Sequence, residues 1–165
     1  MRISDTCAPI PPSISVDAVS LQSDHSPSPP RILLAEDNPQ DVFLLKEAFS
    51  NERLNVELEC VGNGDDLLDR LRLVAGGAPI HPVGLLLLDA HLPRRNAEEV
   101  LAVLREEKTV LEFPIVVLTT LISEPERIRL LGLGVREVLS KPLDLNEYYK
   151  LAQHLNSMLT KRAIP

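Results

Sequence analysis

The chain has little of what several large classes of protein depend on. Its 165 residues include only two cysteines, Cys7 and Cys60, which form neither a C-x-x-C motif nor a disulfide framework and so favour a reducing compartment over secretion. The four histidines are scattered and give no zinc-ligand spacing. The longest apolar runs are far shorter than the roughly 20 residues of a membrane span, and the N-terminus lacks the apolar core of a signal peptide. These absences predict a soluble, cytoplasmic protein with no membrane association.

Basic residues are in the minority as well. Lys and Arg number 17 against 24 Asp and Glu, which gives a formal net charge of −7 at pH 7. Binding to nucleic acid needs a basic surface that neutralises phosphates, so this charge argues against a nucleic-acid partner. Apolar residues, at 44 %, are too frequent for a wholly disordered chain, and the length fits one domain.

The first 30 residues differ from the rest of the chain. They are rich in Ser and Pro and show no sustained helix or strand period, so we predict a flexible N-terminal extension over residues 1–30. The alternative is a short element between Ile14 and Leu21 that docks on the domain or on a partner. The domain itself is predicted over residues 31–160, followed by a tail over 161–165.

From Arg31 onward, short apolar runs alternate with helical patterns. The predicted strands cover residues 31–36, 56–60, 84–89, 114–119 and 136–140. Each is followed by apolar residues at three- and four-residue spacing, as on one helix face; Asn38-Pro39 suits the start of the first helix and Asp144 caps the last. Near-continuous apolar runs are typical of central parallel strands covered on both faces. The pattern predicts an α/β fold, (βα)5, with a doubly wound parallel five-stranded sheet.

Polar residues stand where the predicted strands end. In order along the chain they are Glu36-Asp37, Asp89, Thr119-Thr120 and Ser140-Lys141-Pro142. Open sheets of this kind bind ligands outside the carboxyl ends of their strands, so we expect these residues to converge. Clustered carboxylates repel one another unless a cation intervenes, and Mg²⁺ prefers oxygen ligands. Lys141 and Thr119 add donors suited to phosphoryl oxygens. The residues point to phosphoryl transfer onto a carboxylate, with Asp89 as the nucleophile.

Four segments resemble the receiver domain of two-component response regulators. They are LLAEDNPQD, LLLLDAHLP, PIVVLTT and LSKPLD, in this order and at these separations, and the resemblance runs from Arg31 to about Thr160. The stretches EDNPQDVFLLKEAF and VVLTT are most similar to stand-alone receivers that work with bacterial phytochrome-type histidine kinases. The resemblance implies a flavodoxin-like sheet with the strand order 2-1-3-4-5.

The resemblance also implies roles for the acidic residues. Asp89 would be the phosphoacceptor and, together with Asp37, a direct ligand of Mg²⁺. Glu36 would contact the ion through water. His91 would contribute its backbone carbonyl to the ion, while its side chain is expected to be exposed.

A second group of residues would contact the phosphoryl group or respond to it. Thr119 would bond a phosphoryl oxygen, and Thr120 would control access or pack beside it. Lys141 would pair with the phosphate and be held by a cis peptide bond before Pro142. The family usually carries Tyr or Phe three residues before the lysine, where this chain has Val138, so the switch position lacks its aromatic ring.

The function implied is that of a single-domain response regulator. A sensor histidine kinase, of the phytochrome type, would phosphorylate Asp89 with Mg²⁺; the protein would dephosphorylate itself slowly and is not otherwise an enzyme. Since no output domain follows Thr160, the output would be a partner protein, onward relay or homodimerisation. The homodimer would form through the fourth helix, fifth strand and fifth helix. Ile128, Leu131 and Leu133 are its candidate contacts, unless they belong to the core.

Two other readings stay open. A phosphorylation-independent adaptor would keep the fold and use Asp89 only structurally, and Val138 is the main feature in its favour. A Mg²⁺-dependent phosphohydrolase with an aspartyl nucleophile usually needs a second acid two residues after the first. Here Ala90 and His91 follow Asp89 instead.

Overall fold

The computed structural model describes residues 29–77 and 82–160. The predicted tail, the alternative element between Ile14 and Leu21, and nearly all of the predicted extension lie outside the described residues. The strands are β1 Arg31–Ala35, β2 Glu57–Val61, β3 Val83–Asp89, β4 Ile115–Thr119 and β5 Glu137–Ser140. The helices are α1 Pro39–Asn51, α2 Gly64–Ala75, α3 Ala97–Glu106, α4 Glu124–Gly132 and α5 Leu145–Thr160.

The five strands form one parallel sheet in the order β2-β1-β3-β4-β5. The predicted fold class and strand order are therefore confirmed, and the predicted strand limits agree with the observed ones to within a residue or two. The prediction ended β1 at Glu36, one residue too late, although pairing continues past Ala35 because the Glu36 N–H donates to the Val61 carbonyl at 3.0 Å.

Short polar side chains fix where the helices start. The Asn38 side chain accepts from the Gln40 N–H at 3.0 Å, and the Asp144 side chain accepts from the Glu147 N–H at 3.0 Å, as predicted for both caps. At α3 the cap is a reciprocal box, in which Asn96 and Glu99 each accept from the other's backbone N–H. These caps place the first turns of α1 and α3 beside the carboxyl ends of the strands.

The core lies in two layers, one on each face of the sheet. Helices α1 and α5 cover one face, and α2, α3 and α4 cover the other. Strand β3 serves both layers, because Leu85 and Leu87 face the first while Leu86 and Leu88 face the second, and all four are fully buried. Burying one leucine side chain contributes about 1.5–3 kcal/mol. The four leucines therefore hold β3 firmly in the middle of the sheet, and Asp89 is its last residue.

The candidate dimer contacts divide between surface and core. Ile128 is 59 % exposed and Leu131 is 39 % exposed on α4, whereas Leu133 is partly buried and packs against the core beneath it. Only the first two are therefore open to a partner. Within residues 29–77 and 82–160, no helix combines the length and the apolar character needed to cross a bilayer.

Candidate functional site

Three carboxylates meet at the carboxyl ends of β1 and β3. Glu36 and Asp37 directly follow β1, and Asp89 ends the neighbouring strand β3. Each offers an oxygen atom, and these atoms lie within 4.8 Å of one another. Glu36 and Asp89 are buried, while Asp37 is exposed. The convergence predicted from the strand order is thus present, with one acid open to solvent and two held below it.

Lys141 directly follows β5, the edge strand of the sheet, and its side chain reaches back to this cluster. Its Nζ donates to Glu36 Oε2 at 2.7 Å, to Asp89 Oδ2 at 2.7 Å and to Asp41 Oδ2 at 3.0 Å. An ammonium group has three N–H donors, so this arrangement occupies all of them. Burial by itself would lower the pKa of Lys141, but the hydrogen bonds to Asp89, Glu36 and Asp41 outweigh it and raise the pKa. The lysine therefore stays charged at neutral pH.

Glu36 is the most deeply buried acid of the cluster, at 4 % exposure. Burial raises its pKa above the usual value, and the nearby charge of Asp89 acts in the same direction. The hydrogen bonds from Lys141 Nζ and from the Asn38 N–H, which reaches Glu36 Oε1 at 3.0 Å, oppose this rise. The ionised form of Glu36 thus depends on donors that surround it.

Asp89 is held at both of its oxygens. The His91 N–H donates to Oδ1 at 3.0 Å, and Lys141 Nζ donates to Oδ2. Because His91 lies in the turn after β3, this bond fixes the carboxylate against its own backbone. The His91 side chain is exposed, in agreement with the expectation from the sequence.

Thr119 and Thr120 lie at the end of β4 but differ in burial. Thr119 is 2 % exposed, and its hydroxyl donates to the Leu121 carbonyl at 2.8 Å; Thr120 is exposed. Val138 pairs with Val117 in the β4–β5 register and packs, partly buried, against the core. The position where the family usually has an aromatic ring is thus filled by a small side chain that belongs to the sheet.

The peptide bond before Pro142 does not have the expected geometry. No peptide bond is cis in the part of the chain that the structure describes, so the expectation of a cis bond at Pro142 is wrong. The Lys141 N–H donates to the Thr119 carbonyl at 2.8 Å, which continues the β4–β5 ladder through the lysine. From this trans backbone the lysine side chain still reaches all three acids.

Two residues of the site were missed from the sequence. Asp41, in the first turn of α1, accepts from Lys141 Nζ, and its other oxygen accepts from the Tyr148 hydroxyl at 3.0 Å. Tyr148 lies in the core, at 3 % exposure. Two signals could have found the pair: an acid in the first turn of a helix that begins at the site, and the need of a buried tyrosine hydroxyl for a partner.

The donor set suits a divalent cation. Four carboxylates face one ammonium group, so the site keeps a surplus of negative charge. Carboxylate oxygens are the ligands that hard divalent ions prefer, and Asp37 forms no hydrogen bond or ion pair with Lys141 that would compete with an ion. An open depression of about 460 Å³ adjoins Glu36 and Asp37 between α1 and β2, and it gives access from solvent. The residues present therefore fit a bound divalent metal.

Comparison with known proteins identifies the family of this chain. A family model described as the response regulator receiver domain matches residues 32–153. The chain belongs to the receiver domain family of response regulators. Among curated proteins, response regulator Rcp1 of Synechocystis is 31 % identical over 135 residues, which cover 82 % of this receiver and 92 % of Rcp1. A probable methanogenesis regulatory protein, FilR2 of Methanothrix harundinacea, is 32 % identical over 75 % of this receiver and 79 % of its own length.

Solved structures give the same result. The phosphorylated cyanobacterial phytochrome response regulator RcpA matches with a TM-score of 0.69 and 29 % identity, over 80 % of this receiver and 94 % of RcpA. The Mn²⁺-bound form of Rcp1 matches with a TM-score of 0.66 and 30 % identity, over 78 % and 93 % of the two chains. The resemblance to receivers of the phytochrome group is confirmed by these matches.

Proposed function

We propose that this receiver is a single-domain response regulator that accepts a phosphoryl group on Asp89. The observation that carries the proposal is the position of the Asp89 carboxylate, at the end of the central strand, between the Glu36–Asp37 acids and the Lys141 ammonium. A carboxylate of this kind can act as a nucleophile toward phosphorus. The phosphoacceptor would dephosphorylate itself slowly rather than act as an enzyme on other substrates.

The chemical step is a displacement at phosphorus. An oxygen of the Asp89 carboxylate forms a bond to phosphorus while the bond from phosphorus to the donor's histidine nitrogen breaks, and that electron pair leaves with the imidazole. Lys141 places its positive charge beside the oxygens where negative charge accumulates. Thr119 would add a hydroxyl donor once it releases the Leu121 carbonyl, and Thr120, which is exposed, would control access or pack beside the phosphoryl group. Pro142 fixes the chain direction after the lysine.

Mg²⁺ is the metal we propose for the acidic cluster. Asp37 and Asp89 would bind it directly, Glu36 through water, and His91 through its backbone carbonyl. When bound, the ion would neutralise charge on the phosphoryl oxygens and on the crowded acids. The Mn²⁺-bound form of Rcp1 supports a divalent ion in a similar receiver.

The proposed donor is a sensor histidine kinase of the phytochrome type in the cytoplasm. Its support is the similarity to RcpA, which is described as a phytochrome response regulator, and to Rcp1.

We further propose a homodimer through the face formed by α4, β5 and α5, where Ile128 and Leu131 are exposed. The extension over residues 1–30 and the domain limits 31–160 stay predictions.

A phosphorylation-independent adaptor is the second candidate, because Val138 replaces the usual aromatic ring. Incubation with acetyl phosphate and Mg²⁺, followed by intact-mass measurement, separates the two functions. We expect one acid-stable, base-labile phosphoryl adduct on the wild type and none on Asp89→Asn. An unmodified wild type, or an adduct that persists in Asp89→Asn, would rule out the proposed acceptor.

A further inference from the structure

Asp41 differs from the other acids around Lys141. Glu36 and Asp89 belong to the proposed metal and phosphoryl chemistry, so both change partners when the site is loaded. Asp41 has no role in that chemistry, yet its Oδ2 lies 3.0 Å from Lys141 Nζ. Of the three acceptors of the lysine, Asp41 is thus the one that can keep its bond throughout the reaction.

Asp41 is itself held in place. Its Oδ1 accepts from the hydroxyl of Tyr148, which is buried on α5, so that each carboxylate oxygen has one donor. The side chains of Lys141 and Asp41 are 11 % and 19 % exposed, so water does little to screen the pair. The result is a chain of contacts from α5 through Asp41 of α1 to the ammonium group.

The side chain of a lysine needs a fixed hydrogen-bond acceptor to hold it in place more than most side chains do. Its four-carbon stem is flexible, and holding it in one geometry costs rotamer entropy. When Asp89 becomes an acyl phosphate, the carboxylate bond that fixes Nζ is lost, and any cation at Glu36 competes for the second bond. A third acceptor on a neighbouring helix keeps Nζ over the site while these exchanges occur.

We propose that Asp41 is a positioning residue for Lys141, and that Tyr148 holds Asp41 in the orientation this requires. The inference rests on the proposed phosphorylation of Asp89. Asp41 does not touch the reacting atoms; it acts by keeping the ammonium group where the phosphoryl oxygens arrive. The bond also ties the site to α5, part of the face proposed for dimerisation.

The test measures the rate of phosphorylation by acetyl phosphate in Mg²⁺ for the full-length chain and four variants. We expect Asp41→Asn to be slower by about 10-fold, the effect of weakening one hydrogen bond to a charged group. Tyr148→Phe, which keeps all charges, should be slower by about 3-fold. Two controls should match the wild type: Tyr149→Phe leaves the Asp41–Tyr148 bond intact, and Glu47→Gln removes an exposed acid from the same helix.

A second measurement separates positioning from a general structural effect. Affinity for Mg²⁺ alone should change by less than about 3-fold in Asp41→Asn, while affinity for the phosphoryl mimic beryllofluoride falls by about 10-fold, because only the mimic needs the lysine. A loosened fold would weaken both together and would overturn the proposal. If Asp41→Asn is phosphorylated as fast as the wild type or faster, the positioning role of Asp41 is overturned and the proposed function is not. If the wild type takes up no phosphoryl group, the proposed function is overturned as well.

Discussion

Replacing Lys141 by methionine tests how the acidic cluster is held together. The lysine donates to Glu36, Asp89 and Asp41 at 2.7, 2.7 and 3.0 Å. Its own side chain is 11 % exposed, and those of Glu36 and Asp89 are 2 % and 7 % exposed. Methionine has a similar length and no charge, so the variant leaves buried acids without their cation.

The magnitude follows from that burial. Removing one partner of a buried ion pair typically costs about 3–5 kcal/mol, because the remaining charge is left uncompensated. We expect Lys141→Met to lose about this much free energy of unfolding when metal is chelated. A divalent ion can replace the missing charge, and an ion at 100 times its Kd adds about 2.7 kcal/mol to the folded state. Mg²⁺ should therefore raise the free energy of unfolding of Lys141→Met by about 2.7 kcal/mol at this saturation.

The difference in free energy of unfolding between Lys141→Met and the wild type should also depend on pH. Lys141 stabilises the wild type fully below the ordinary lysine pKa of 10.5, and that stabilisation is lost only as the pH rises through its raised folded pKa. In Lys141→Met the lysine no longer opposes the burial that raises the pKa of Glu36. An acid with a raised folded pKa binds its proton more tightly in the folded state, so acidification favours folding. The stability that Lys141→Met loses relative to the wild type should therefore become smaller as the pH falls from about 7 toward about 5.

The assay is urea unfolding followed by far-ultraviolet circular dichroism, since the chain has no tryptophan. It is run at several pH values, with EDTA or with Mg²⁺. Lys150→Met is the matched control, because Lys150 is exposed on α5 and its loss should change stability by less than about 0.5 kcal/mol. Equal stability of Lys141→Met and wild type in EDTA would refute the reasoning, and so would a variant whose free energy of unfolding Mg²⁺ leaves unchanged.

Three further predictions concern the sheet and the proposed dimer. Leu87→Ala should lower the free energy of unfolding by about 2–5 kcal/mol in urea titrations, because Leu87 is fully buried in β3. Glu59, whose pKa is lowered first by its hydrogen bond from Arg70, stabilises above the usual value of 4.5 and loses that effect as the pH falls through its lowered pKa. Glu59→Gln should therefore cost about 1 kcal/mol at neutral pH, with no difference in strong acid. Ile128→Glu should give monomers in light scattering if α4 forms the dimer; dimers that persist would exclude that face.

The fold and the acids of the site could be predicted from the sequence for one physical reason. Parallel strands end at the same edge of a sheet. The residues at the ends of β1, β3 and β5 therefore lie close together, regardless of the loops and helices that connect the strands. Glu36, Asp89 and Lys141 were found in this way, and so were the caps Asn38 and Asp144. The capping box of Asn96 could have been found too, because an acid three residues after the cap is its signature.

Other features depend on geometry that strand ends do not fix. Whether Leu133 faces the core and Ile128 the solvent depends on the rotation of α4 about its axis, and a short apolar pattern leaves that rotation open. Asp41 joins the site only because a long lysine side chain reaches across from β5 to the first turn of α1. The isomer of the peptide bond before Pro142 is likewise not fixed by the Lys-Pro pair itself.

The hydrogen bond of Thr119 predicts a connection between the site and α4 that does not need the aromatic ring missing at Val138. A threonine hydroxyl has one proton to donate, and that of Thr119 is engaged by the Leu121 carbonyl. In the proposed phosphorylated state, a phosphoryl oxygen that accepted the hydrogen bond from Thr119 would deprive the Leu121 carbonyl, which lies in the segment leading into α4, of this donor. Leu121 is 83 % exposed, so little packing opposes its movement once the bond is gone. We therefore predict that moving this one hydrogen bond from the Leu121 carbonyl to a phosphoryl oxygen would link Asp89 to the start of α4, with no side chain larger than valine needed at position 138.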